Sequence, residues 1–238
     1  MMISAQNIKR PITDVMKTCG SYRHMQYNQI KNCDCMRFIA TMPDKSVDFT
    51  FTDIPYNMVN HASNGLRSLD KGKANILTFE LDVFLLQILR VTGSSLLIFC
   101  AKEQFSQIYS LLSAQNGTVR AIVWEKSNPS PMNGQHVYLS GVELAVWFKY
   151  RGRKTFNAHC KNTVFRYPNG RSKEHPTEKN HELLKDLILD NTNAGDIVFD
   201  PCMGSGSHLL AAKHLNRRFL GCEINEHYFA LAKKRLAG

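Results

Sequence analysis

Six short apolar runs, each bounded by turn-forming residues, recur at Val47 to Thr52, Ser95 to Cys100, Val119 to Trp124, Val142 to Phe148, Asp196 to Asp200 and Arg218 to Glu223. Runs of this length, rich in β-branched and aromatic residues, predict buried strands. Helical spacing lies between several of them. In Glu178 to Asn191, Leu183, Leu184, Leu187 and Ile188 share one face. Asn225 to Leu236 opens at a candidate N-cap, Asn225, and turns Tyr228, Leu231 and Ala232 inward. Leu81 to Leu89 reads as a core helix. Strands alternating with helices imply an α/β sheet, and 238 residues suit one domain, 1–238, with insertions.

Two segments break the rhythm. Asn57 to Asn75 is polar and rich in Gly, Ser and Asn, while Ser127 to Lys173 is basic and loop-forming. Loops this long are functional or disordered. The formal net charge of +10 favours an anionic partner, nucleic acid or an acidic surface, although basic proteins without such a partner are common. Seven scattered cysteines show no CxxC pair and no zinc-ligand spacing, so no metal site is expected. Their odd number and a polar Met1 to Val15 lead to the expectation of a reducing, cytoplasmic location. The apolar stretches are too short to span a bilayer, so no membrane partner is expected.

Near the C-terminus, Asp196-Ile-Val-Phe-Asp-Pro-Cys-Met-Gly-Ser-Gly-Ser207 reads as strand, glycine turn and helix, with Gly204 and Gly206 where a ligand could approach the backbone. After a helix of about three turns, the strand Arg218 to Glu223 returns Glu223 to a strand end beside the turn. An acid there can accept both hydroxyls of a ribose. A lone GxG also serves as a plain structural turn. Asp200, just before the turn, would repel a pyrophosphate and welcome an ammonium, which favours an amino-acid nucleoside over a dinucleotide.

The first strand ends at Asp53-Ile54-Pro55-Tyr56, a carboxylate, a restricted backbone and an aromatic face at one sheet edge. Asp53 and the carbonyl of Ile54 could accept the two hydrogens of a base amine while Tyr56 stacks on the ring. An ordinary Asp-Pro turn with a half-buried tyrosine would carry the same residues.

Together these segments resemble the amino-methyltransferases of DNA, specifically the permuted beta group in which the catalytic motif precedes the cofactor glycine motif. Asp53-Ile54-Pro55-Tyr56 resembles that family's DPPY, and Asp200-Pro201-Cys202-Met203-Gly204-Ser205-Gly206 its DPFxGSG. His175-Pro176-Thr177-Glu178-Lys179 is similar to HPTQK, Cys33-Asp34-Cys35 to GDC, and Trp124 to Pro131 to the WxKxNPxP of adenine-directed members. The departures are Ile54 for proline, Cys202 for an aromatic, Cys33 for glycine and Ser207 for threonine. The resemblance implies a Rossmann-like fold with a mixed, mostly parallel seven-stranded sheet and helices on both faces. It also implies transfer of a methyl group from S-adenosyl-L-methionine, leaving S-adenosyl-L-homocysteine, to N6 of an adenine flipped out of double-stranded DNA. N4 of cytosine is the alternative acceptor, and a DNA-binding relative of weak activity a further one.

On that resemblance Asp53, Ile54, Pro55 and Tyr56 are catalytic. Asp34, Cys35, Asp53, Thr177, Lys179, Asp200, Pro201, Gly204, Ser205, Gly206, Glu223 and Ile224 would hold the cofactor, with Lys179 suited to its carboxylate or, alternatively, a plain surface lysine. Residues 127–174 match the family's target-recognition region, and 57–75 a mobile loop near the target base. Lys126, Ser127, Asn128, Lys149, Arg151, Arg153, Lys154, Lys161, Arg166 and Arg171, interleaved with Phe156, Phe165 and Tyr167, are the candidate DNA contacts, a solvated basic loop being the alternative. A homodimer and a cognate restriction enzyme are partners the resemblance leaves open.

Overall fold

The computed structural model describes residues 26–56, 77–131, 134–152, 155–170 and 179–238. In chain order the elements are β1 (Gln29–Asn32), α1 (Cys35–Ala40), β2 (Val47–Asp53), α2 (Leu81–Val91), β3 (Thr92–Cys100), α3 (Lys102–Ser113) and β4 (Gly117–Lys126). They continue with β5 (Val142–Tyr150), β6 (Val164–Tyr167), α4 (His181–Asn191), β7 (Ile197–Asp200), α5 (Ser207–His214), β8 (Arg218–Glu223) and α6 (Glu226–Ala237). One sheet contains all eight strands in the order β1-β8-β7-β2-β3-β5-β4-β6. Only β5 runs against its neighbours, β3 and β4; every other pairing is parallel.

Alternation along the central strands, broken in β2 by a register shift between Val47 and Phe49, creates two apolar layers. In β3, Leu96 and Ile98 join the layer under α1 to α3, whereas Leu97 and Phe99 join the layer under α4 and α5. The helices supply the matching stripes: Phe84, Leu85 and Ile88 from α2 on one face, Leu183, Leu184, Leu187 and Ile188 from α4 on the other. Each fully buried Leu or Ile contributes about 1.5–3 kcal/mol, so these two stripes anchor the sheet from both sides.

All six strands expected from the sequence form, as do both C-terminal helices and the Asn225 cap, whose side chain accepts from the backbone N–H groups of His227 and Tyr228. Three features differ. The sheet has eight strands rather than seven, because four-residue β1 and β6 pair along its edges. Helix α4 starts at His181, capped by Asn180, which accepts from Glu182 N and Leu183 N; that cap leaves Lys179 outside the helix. Helix α5 has eight residues, about two turns rather than three, since Arg217 N–H already bonds Ala212 O and turns the chain toward β8. The stretch 57–75 lies outside the described residues. Among the described residues, no helix is long and apolar enough to cross a membrane.

Candidate active site

Strands β2 and β7 are parallel neighbours, with Phe49 opposite Val198 and Thr50 opposite Phe199. Their carboxyl ends therefore share a rim, and the hydroxyl of Thr52 donates to Asp200 Oδ1 at 2.8 Å. The Asp53 turn and the glycine turn are thus brought together, as direct reaction between groups held by them would require. Beyond β2 the chain stays pinned: Ile54 N–H bonds Phe99 O, and the Ile54 side chain is buried in the α1–α3 layer. Isoleucine in place of proline thereby anchors the turn by packing. The Pro55 carbonyl accepts from Gln104 Nε2 at 2.9 Å, and Gln104 Oε1 accepts from Ala101 N–H, so α3 braces the backbone beside Tyr56.

An ion network surrounds Asp53. Lys179 Nζ lies 2.8 Å from Asp53 Oδ2 and 2.7 Å from Glu143 Oε2, and Lys126 Nζ lies 2.8 Å from the other oxygen of Glu143. The Lys179 side chain, 5% exposed, passes under Phe99 with Nζ 4.3 Å from the ring centre, and Nζ is 3.5 Å from the Tyr56 hydroxyl. Burial disfavours its charge, but Asp53, Tyr56 and Glu143 outweigh that and hold the ammonium protonated. Burial likewise opposes ionisation of Glu143, yet Lys179 and Lys126 bring its pKa down to about 2. Burial, then the Asp53 carboxylate, raise the Tyr56 phenol, which stays neutral. Asp53 Oδ1 is buried without a hydrogen-bond partner among the described residues. One oxygen of this carboxylate is clamped, and the other has acceptor capacity that no described residue meets.

At the glycine turn the main acid is fully committed. Asp200 is 0% exposed; Oδ1 accepts from Thr52 Oγ1 and Cys202 N–H, and Oδ2 lies 2.6 Å from His208 Nδ1. The ammonium site expected at Asp200 is therefore corrected: its oxygens fold the turn. Glu223 keeps the place expected of it, at the tip of β8, where it accepts from Gly204 N–H at 2.9 Å and from Asn225 N–H at 2.8 Å. Burial raises its pKa. Gly204 and Gly206 have φ of +51° and +79°, and a Cβ on Gly204 would meet nothing within 4 Å among the described residues, leaving room for a ligand to approach that backbone. Ser205 is buried and its Oγ lies 3.0 Å from Arg235 Nη1 of α6, while the Pro201 carbonyl accepts from the Cys222 thiol.

The Cys33-Asp34-Cys35 segment reaches the same rim, because Cys33 N–H donates to Glu223 O. Asp34 caps α1 through Arg37 N–H, and Cys35 is buried, its free thiol beside the free thiol of Cys202. Cys202, in the place of an aromatic, thus packs against a thiol. Ile224 is 58% exposed beside Glu223. Lys179 lies on the Asp53 side of the rim between two carboxylates, and its burial rules out the alternative of a plain surface lysine. Thr177 lies outside the described residues.

The candidate DNA contacts divide. Lys126 ends β4 at the rim that carries Asp53, Ser127 and Asn128 follow it, and Arg166 of β6 is opposite Glu125 there, 3.1 Å from its carboxylate. Lys149 and Arg151 belong to the other rim. Phe99 pairs with Asp53 and Ala145, whereas Lys149 pairs with Ser95, four residues or roughly 13 Å down the sheet; Arg151 N–H bonds Asn116 O beyond it. The antiparallel course of β5 causes this. Lys161 is tied to Asp186 at 2.6 Å and Asp190 at 2.9 Å on α4, a role in holding the loop to the helix. Arg153, Lys154 and Arg171 lie outside the described residues. Glu143, Gln104, Thr52 and His208 escaped the sequence reading, although Glu143 is the lone acid in the run Val142 to Phe148.

The family model for DNA methylases acting on N6 or N4 amines matches residues 47–234. The chain belongs to this DNA methylase family. Among curated relatives of the methylase, the type II methyltransferase M2.DpnII of Streptococcus pneumoniae is 25% identical over 88% of this chain and 91% of its own length. M.HinfI of Haemophilus influenzae is 27% identical over 88% and 68%. Among solved structures, M1.HpyAVI in complex with SAM superposes with a TM-score of 0.68 at 30% identity, covering 87% of this chain and 98% of that one. The PvuII cytosine-N4 methyltransferase shares the fold, with a TM-score of 0.67 at 14% identity over 87% and 85%.

Proposed function

We propose that this methylase transfers a methyl group from S-adenosylmethionine to N6 of an adenine flipped out of double-stranded DNA. Asp53 Oδ1, buried and without a partner among the described residues, carries the reading: a carboxylate oxygen accepts hydrogen bonds, so the group that fits it is an N–H or O–H donor. An exocyclic amine supplies one. Lys179 on the companion oxygen fixes the carboxylate's direction, and the neutral Tyr56 phenol adds a flat face beside it.

The residues around the glycine turn fit the cofactor. Glu223 offers a carboxylate at the strand tip, Gly204 leaves an open backbone surface, and the Asp34 turn closes the same rim. The cofactor supplies the electrophilic methyl group. Asp53 orients the amine more than it deprotonates it, since aligning the lone pair is what an amine conjugated to a ring lacks as a nucleophile. The methylated amine must afterwards shed a proton, and the exposed rim lets water receive it. Lys126, with Ser127 and Asn128 following it, and Arg166 of β6 provide positive charge and polar groups for phosphates along this rim.

N6 is chosen over N4 of cytosine on the acid that leads the Asp53 turn and on the Trp124 to Pro131 segment, both resembling adenine-directed members. The test is methyl transfer from labelled cofactor to mixed-sequence duplex DNA, followed by digestion to nucleosides. N6-methyladenine is the expected product. N4-methylcytosine would move the reading to the other base, and unlabelled DNA would refute it.

A further inference from the structure

We propose that Glu143 is a positioning residue for methyl transfer: from the antiparallel strand β5 it holds the Lys179 ammonium against Asp53, so that one carboxylate oxygen stays clamped and the other stays open for the base amine. This rests on the function proposed above and adds a residue that the motifs of the sequence do not contain.

The geometry is a chain of alternating charge. Lys126, Glu143, Lys179 and Asp53 follow one another at 2.8, 2.7 and 2.8 Å across the tips of β4, β5 and β2. Lys179 precedes the Asn180 cap and enters an apolar slot, its ammonium 4.3 Å from the Phe99 ring centre and 5.9 Å from that of Trp124. A buried ammonium with one carboxylate has three donors and too few acceptors. Glu143 supplies the second carboxylate, and Lys126 balances Glu143 in turn. The groups facing Lys179 are Asp53 and Tyr56 from the β2 side, Glu143 from β5, with Lys126 of β4 behind it, and the Cys100 thiol at the β3 tip, which burial pushes up to about 12. With Glu143 neutral, Lys179 would be free to slide along Asp53 and cover both oxygens, including the one the amine needs. A carboxylate displaced by such a shift costs rate more than it costs binding.

The experiment compares the unmodified methylase with Glu143→Gln and Glu143→Asp. For Glu143→Gln we expect kcat to fall about 10- to 100-fold, with KM for the cofactor within about twofold. Glu143→Asp, which keeps the charge on a shorter arm, should recover most of that loss. A second readout needs no turnover. The Glu143 pKa is depressed from 4.5 to about 2 in the folded chain, so its contribution to stability is present above 4.5 and vanishes as pH falls through about 2. The denaturation midpoint of Glu143→Gln should therefore lie below that of the unmodified chain near neutral pH and converge with it in acid. Glu143→Asp should retain the pH dependence, which keeps the test decisive if the Gln variant does not fold. A kcat for Glu143→Gln within about twofold of the unmodified chain, or a stability deficit independent of pH, would overturn the proposal. Absence of methyl transfer by the unmodified chain would refute the function itself, while the acid midpoints still decide whether Glu143 holds Lys179.

Discussion

Asp53 and Asp200 stand at the tips of adjacent parallel strands, each opening a tight turn that contains proline, yet the fold uses them in opposite ways. Every oxygen of Asp200 is occupied, by Thr52, Cys202 N–H and His208, and its side chain is sealed from water. Asp53 is half satisfied: Lys179 takes one oxygen and the other has no partner among the described residues. A buried carboxylate with all its acceptors filled holds a loop in shape, whereas one with an acceptor left open at a rim is poised for a ligand. The glycine turn is thus built by its acid, whereas the turn after β2 leaves one oxygen of its acid without a partner among the described residues.

Five substitutions would break or sharpen that contrast. Asp53→Ala should have the largest effect, lowering methyl transfer by at least about 10²- to 10³-fold while cofactor binding, read by equilibrium dialysis, survives; normal turnover would remove Asp53 from the chemistry. Asp200→Ala should act through folding, leaving the Thr52 hydroxyl and Cys202 N–H without an acceptor at a cost of about 3 kcal/mol, measured by urea denaturation. Full stability of that variant would contradict the role given to Asp200. Gly206→Ala should cost about 1–2 kcal/mol for a side chain at positive φ, and its Cβ would sit 3.1 Å from Ala232 Cβ of α6; a loss of cofactor affinity is expected alongside. The smallest effects concern the two rims. Arg166→Ala should weaken DNA binding and lower the salt slope by about one, whereas Lys149→Ala, on the far rim, should leave both unchanged in a salt titration. Equal effects would mean that DNA wraps the sheet.

Of the elements around the site, those with strong local patterns were readable. Val47 to Thr52 alternates Val47, Phe49 and Phe51 with β-favouring threonines, Ser95 to Cys100 is an almost continuous apolar run, and the Asn225 cap begins an amphipathic helix. Edge strands β1 and β6 were not, for they have four residues each and are partly exposed, so their apolar alternation never accumulates. Helix α3 is similar: its buried side chains are Gln104, Ile108 and Leu112, the first of them polar. Gln104 is spent on bracing Pro55 and Ala101, contacts 49 residues away in sequence and at its own N-cap.

The amino-acid sequence by itself determined the motif order, the acid, proline and tyrosine after β2, and the glycine bend between β7 and α5, because each is written in neighbouring residues. Only the tertiary structure decided where charges meet. Lys179 reached Asp53 because Asn180 stops α4 one residue short of it, and Glu143 reached Lys179 because β5 runs antiparallel. The same reversal carried Lys149 away from the rim that Lys126 occupies. Strand direction and sheet order are collective choices of the buried apolar layers, made over separations that no local pattern records.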